Sequence, residues 1–112
     1  MLNMSNIKNV SNANIGTIES IDIENLYTNS GSKAPNQFNV FIYGQEGNIK
    51  VFKSYNSIIA VRCNGETYLD QGKWDYSPTT LRYLKQWLGT QESKAEIVKK
   101  IDDGIYKLVE LN

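Results

Sequence analysis

WDYSPTTLRYLKQWLG, residues Trp74 to Gly89, decides the fold of this chain. Ser77 is a good N-cap, because its hydroxyl can accept from a free backbone N–H in the first helical turn. Pro78 follows at the first helical position, where a missing N–H costs nothing, and Gly89 supplies a left-handed stop. Between them Leu81, Leu84 and Leu88 recur at helical spacing as a core-facing stripe. Tyr83 and Trp87, four positions apart in the sequence, lie side by side on such a helix. The spacing therefore predicts a helix over residues 78–88 with one face to bury.

The flanking residues supply what it buries that face against. Downstream, Ser93 and Glu96 have capping-box spacing. Ala95, Ile97, Val98 and Ile101 give a second helix its apolar face, and Gly104 stops it. Residues 105–111 then alternate as a final strand, with Ile105, Lys107, Val109 and Leu111 on one face and Tyr106, Leu108 and Glu110 on the other. Upstream, Asn64-Gly65 suits the two positive-φ positions of a tight hairpin. It joins a strand Ser57–Cys63 to a returning strand Glu66–Leu69. Phe38–Tyr43 is another strand, with Phe38, Val40 and Ile42 on one side and Asn39, Phe41 and Tyr43 on the other. Aromatic residues on both sides imply cover on both faces, or an aromatic patch. Gly44 to Gly47 turns the chain into Asn48–Lys53, where Ile49 and Val51 face one way and Phe52 the other. An antiparallel meander from Phe38 to Asp70 is expected.

Residues 28–37, TNSGSKAPNQ, read as a loop. Ile21 and Ile23 alternate with Asp22 and Glu24, which suggests a strand with one wet face, although Ile15, Ile18 and Leu26 also fit a short helical turn. Residues 1–14, rich in asparagine and serine, read as a flexible N-terminal arm, and residues 15–112 as a single domain. The fold class expected is α+β: an antiparallel sheet, made of the meander and the C-terminal strand, with two α-helices packed on one face.

The 112 residues suffice for one core without metals or disulfides, and twelve acidic side chains balance twelve basic ones. Wrapping of duplex DNA calls for a basic excess or stripe, so no tight duplex binding by the protein alone is expected. There is no histidine, which removes the commonest general base and metal ligand. No cofactor or metal is expected. The single cysteine, Cys63, lies in an apolar alternation and reads as a buried strand thiol rather than a nucleophile. Nothing resembles a signal peptide or a membrane span, so a soluble protein of the bacterial cytoplasm is expected, with no membrane partner.

Asp70 and Asp75 bracket Trp74, and two carboxylates beside an aromatic ring could be a glycosidase pair. They could equally cap a turn and favour the next helix through its dipole, and we read them that way. Asp102-Asp103, before Gly104, is a solvated corner or a handle for a basic partner. Lys53, Tyr55, Arg62, Lys73, Trp74, Tyr76, Arg82, Tyr83 and Lys85 interleave rings and cations in the way single-stranded nucleic acid is held. Helix–sheet packing explains most of those rings more simply.

FKSYNSIIAV (Phe52–Val61), YLDQGKWDYSPTTLRYLKQWLG (Tyr68–Gly89) and the ending DDGIYKLVELN (Asp102–Asn112) resemble a domain-of-unknown-function family. Its members are small proteins of phages, plasmids and other mobile elements of low-GC Gram-positive bacteria. The motif residues are Tyr55, Asn56, Asp70, Trp74, Asp75, Tyr76, Ser77, Thr80, Tyr83 and Gly89, and the half up to Val51 carries no resemblance. What the resemblance implies is a genomic setting, not an activity. In size, setting and lack of catalytic motifs the chain is similar to the anti-CRISPR proteins. The function expected is therefore that of a non-enzymatic protein that binds and inhibits a host defence effector, a Cas9-type CRISPR nuclease. The alternative is a nucleic-acid-binding accessory protein of a mobile element. For the inhibitor, Asp22, Glu24, Glu46, Asp102 and Asp103 are candidate acidic contacts to a basic channel. Tyr27, Tyr43, Tyr55 and Trp74 are candidate aromatic anchors.

Overall fold

The computed structural model describes residues 15–112, and the expected arm, residues 1–14, lies outside the described residues. The first helix, α1 (Pro78–Leu88), has the ends its residues dictate. Ser77 Oγ accepts from the Thr80 N–H at 3.0 Å, and Gly89 closes the helix with φ 74°. The second, α2 (Lys94–Asp102), starts on a reciprocal box: Ser93 Oγ accepts from the Glu96 N–H, and Glu96 Oε1 from the Ser93 N–H. It stops where Gly104, at φ 78°, donates to the Ile101 carbonyl.

Six strands form one sheet in chain order: β1 (Ile18–Tyr27), β2 (Lys33–Gly44), β3 (Gly47–Ser54), β4 (Ser57–Cys63), β5 (Glu66–Asp70) and β6 (Tyr106–Val109). The first five form an antiparallel meander. β6 runs parallel to β5, because the connection between them carries both helices across the sheet and returns the chain in the same direction. The architecture is the expected α+β class.

Both helices contribute to the core on one face, where Tyr83, Leu84, Trp87, Leu88 and Ile97 meet Phe52, Ala60 and Leu69. Trp87 fixes α1 on the sheet. Its ring stacks over Phe52 with centroids 6.4 Å apart, and its indole Nε1–H donates to Asn39 Oδ1 at 3.0 Å. The bond satisfies a buried donor and a buried acceptor together. On the other face Val40, Ile42, Ile49, Val51, Val61 and Tyr68 form a second core cluster, joined by Ile15 and Leu111. Cys63 is buried there, and burial pushes its thiol pKa up.

The Asn64-Gly65 turn has positive φ at both positions, 51° and 78°. The C-terminal strand is shorter than the expected residues 105–111 and joins the sheet parallel, where an antiparallel sheet was expected. Three further expectations need correction. The meander begins at Ile18, not at Phe38. The loop between β1 and β2 is confined to residues 28–32: β2 already starts at Lys33, and its Ala34 and Gln37 are buried. The composition of that stretch is loop-like, but burial holds it in the sheet. Finally, β1 has two exposed faces along residues 18–24, not one.

Candidate functional site

β1 is an edge strand, and among the described residues no strand pairs with its outer side. Its register fixes which side chains share a face. Asp22 lies opposite Phe41, Glu24 opposite Asn39 and Ser20 opposite Tyr43. Asn39 bonds Trp87, so this is the helix-covered face. Ile21 lies opposite Ile42 and Ile23 opposite Val40, which places them on the other face, at the ends of two buried aliphatic rows. Inward along those rows Ile42 and Val40 are buried, whereas Ile21 is 48% and Ile23 65% exposed. The apolar rows thus run out to an open edge instead of stopping short of it. Asp22 and Glu24 are exposed, and among the described residues neither makes an ion pair.

Inward on the helix-covered face, Phe41 and Tyr43 are half-buried and stacked, with centroids 6.2 Å apart. Lys50 lies opposite Phe41 on β3, and Arg62 opposite Lys50 on β4. Both cations turn toward the Trp87 ring, at 5.0 and 5.3 Å from its centroid. Lys50 Nζ donates to the Trp87 carbonyl at 3.4 Å, and Arg62 Nε to Thr67 Oγ1 at 3.1 Å. Burial pulls the Lys50 pKa down, the Arg62 charge adds to that, and Glu24 opposes both. These cations hold the helix to the sheet.

The far end of β1 is closed by a side chain. Gln86 Oε1 accepts from the Tyr27 N–H, and Gln86 Nε2 donates to the Tyr27 carbonyl, each at 2.8 Å. One amide thus makes both bonds that a neighbouring strand would make. Tyr27 itself is exposed.

The remaining candidates lie elsewhere. Glu46 sits in the β2–β3 turn, where its N–H donates to the Ile15 carbonyl. Tyr55 is exposed in the β3–β4 turn at φ 53°, and its carbonyl accepts from Lys53 Nζ. Asp102 and Asp103 end α2 and lead into β6, the opposite edge of the sheet. Five strand spacings separate the edge strands β1 and β6, about 24 Å at the usual interval. Trp74 is buried in the helix-side core and offers no exposed anchor. The nine candidates therefore do not make one surface: Asp22, Glu24, Tyr27 and Tyr43 belong to the β1–β2 edge and the others do not. Exposed Ile21 and Ile23 belong to the same edge, and the sequence does not mark them as site residues because their alternation reads as an inward face.

Asp70 and Asp75 are not poised as an acid–base pair. Asp70 is buried, its Oδ1 accepts from the Leu111 N–H at 2.8 Å and its Oδ2 from the Gly72 N–H at 3.2 Å. It pins the C-terminal segment to the turn after β5. Asp75 pairs with Lys94 at the start of α2, 3.4 Å away. Among the described residues no group of three His, Cys, Asp or Glu side chains could hold a metal ion, and no helix is long and apolar enough to cross a membrane.

The model of a family of unknown function, DUF8033, matches residues 21–104. The match takes in most of β1 through α2, and so reaches back to residues 21–51, where the quoted motifs carry no resemblance. No curated protein and no solved structure matches the chain.

Proposed function

The chain belongs to DUF8033, a family of unknown function, and from that premise we propose that it is a non-enzymatic, protein-binding inhibitor encoded by a mobile element. Its target in this reading is a host defence effector, a Cas9-type nuclease. The observation that carries the binding role is the open β1 edge, with Ile21 and Ile23 exposed on one face and Asp22 and Glu24 exposed on the other. Exposed apolar side chains rimmed by charge mark interaction surfaces, and exposed carboxylates complement the Lys/Arg-rich channels in which nucleases hold nucleic acid. The effector class rests on the similarity in size and setting to anti-CRISPR proteins.

A second reading, a nucleic-acid-binding accessory protein, is favoured by the stacked Phe41–Tyr43 pair beside Lys50 and Arg62. A single strand would need those cations for its phosphates, and they are engaged at Trp87. The binding reading leaves them where they are.

Co-elution tests the proposal. Purified protein mixed with Cas9-type nucleases from Gram-positive hosts, each loaded with guide RNA, is expected to form a complex on a sizing column with at least one of them. No complex with any, and no effector recovered in a pull-down from the host cell, would refute it.

A further inference from the structure

Building on the protein-binding reading, we infer that the partner binds by strand addition: an extended segment, basic at alternate positions and apolar at the others, pairs with the open side of β1 as a seventh strand. Three observations converge on this. First, the edge accepts strand-like pairing, since the Gln86 amide already makes both bonds to Tyr27 that a strand would make. That clamp closes the end of β1 at Tyr27, and the segment before it is where an edge strand offers unused N–H and C=O groups. Second, the apolar rows continue to the edge. Side chains placed beyond Ile21 and Ile23 would extend the Ile42 and Val40 rows by one strand and cover two exposed isoleucines. Third, the helix-covered face ends on Asp22 and Glu24, which have no ion pair among the described residues.

Charge selects the occupant. β1 contains Glu19, Asp22 and Glu24 and no lysine or arginine. A second copy would bring the same carboxylates alongside these, and like charges across a strand pair are destabilising. A partner with Lys or Arg on the Asp22/Glu24 side gains cross-strand ion pairs, and its alternate apolar residues meet Ile21 and Ile23. Acidic residues on an edge can also serve only to deter aggregation. A deterrent edge, however, does not carry two exposed isoleucines on the same strand.

A synthetic peptide of alternating lysine and valine is the probe, with its glutamate–valine counterpart as control. The full-length protein, labelled with nitrogen-15, is titrated with each while amide hydrogen exchange is followed. The expected result is new protection confined to β1 with the lysine peptide alone, weakening as salt is added. The double variant Asp22→Lys/Glu24→Lys should weaken binding about tenfold or more, as loss of close charge pairs does. Ile23→Ser, on the other face, should weaken it with the charges intact, and unchanged thermal melting of both variants would show that the fold is retained. No protection in β1, equal binding of the glutamate peptide, or sedimentation showing a β1-mediated dimer would overturn the inference. If the peptide binds β1 but no effector is inhibited, strand addition stands and the effector reading fails. If an effector is bound and neither variant weakens it, strand addition fails and the effector reading stands.

Discussion

Gly44 is required for space rather than for backbone angle. A Cβ built there would stand 2.4 Å from the Ile15 carbonyl oxygen and 2.8 Å from Ile15 Cγ1. Gly44→Ala must push the segment leading into β1 off the β2–β3 turn. It should cost about 1–3 kcal/mol, the range for overpacking a close contact, read as a lower urea midpoint. Ser77→Ala removes the acceptor for the Thr80 N–H and should cost about 1 kcal/mol. An unchanged midpoint and slope would refute the cap. These two residues differ in how openly they declare themselves. Ser77-Pro78 and Asn64-Gly65 are local signals whose meaning does not depend on the rest of the chain. The requirement at Gly44 arises from Ile15, far away in the sequence, and no local pattern shows it. Tyr55 is a similar case: its φ of 53° is one that a bulky residue rarely adopts, so nothing in its identity predicts it.

At the scale of elements, the segment between the helices is held by the half-buried carboxylate of Glu92. Glu92 accepts from the Tyr106 hydroxyl at 2.8 Å and pairs with Lys100 Nζ at 2.9 Å, tying the loop to α2 and β6. Burial disfavours its charge, but hydrogen bonds from Lys100, Tyr106 and Thr90, with the Lys100 charge, outweigh burial and hold its pKa below the ordinary value. A depressed carboxyl pKa gives stability that is present above the unfolded value, about 4.3, and is lost as pH falls through the folded one. The protein should therefore lose stability on acidification below about pH 4, and Glu92→Gln should flatten that fall. An identical acid limb for parent and variant would contradict it. At the other edge, Gln86→Ala should speed hydrogen exchange at the Tyr27 amide while α1 stays intact, because only the strand clamp is removed. Helices and hairpins were legible from short-range chemistry. The extent of β2, the parallel direction of β6 and the openness of β1 were not, since each depends on which element lies alongside. Alternation of Ile21 and Ile23 with Asp22 and Glu24 shows a strand period but is silent on whether anything covers it.

Over the whole molecule, twelve acidic side chains balance twelve basic ones. Lys50 and Arg62 are turned onto Trp87, whereas Asp22 and Glu24 stand exposed at an edge. The isolated protein should accordingly show no steeply salt-dependent, sub-micromolar affinity for duplex DNA, the signature of counterion release. The candidate residues were individually reasonable from their types, but only the fold shows that Asp102 and Asp103 lie beside the opposite edge and that Trp74 is core. The central claim is that this chain acts by occupying a surface, and the most direct measurement is a titration of target-DNA cleavage by a Cas9-type nuclease at fixed effector concentration. A binder predicts inhibition that grows linearly and saturates near one protein per effector. Absence of inhibition across such nucleases from Gram-positive hosts, or full inhibition at far below stoichiometric amounts, would contradict it.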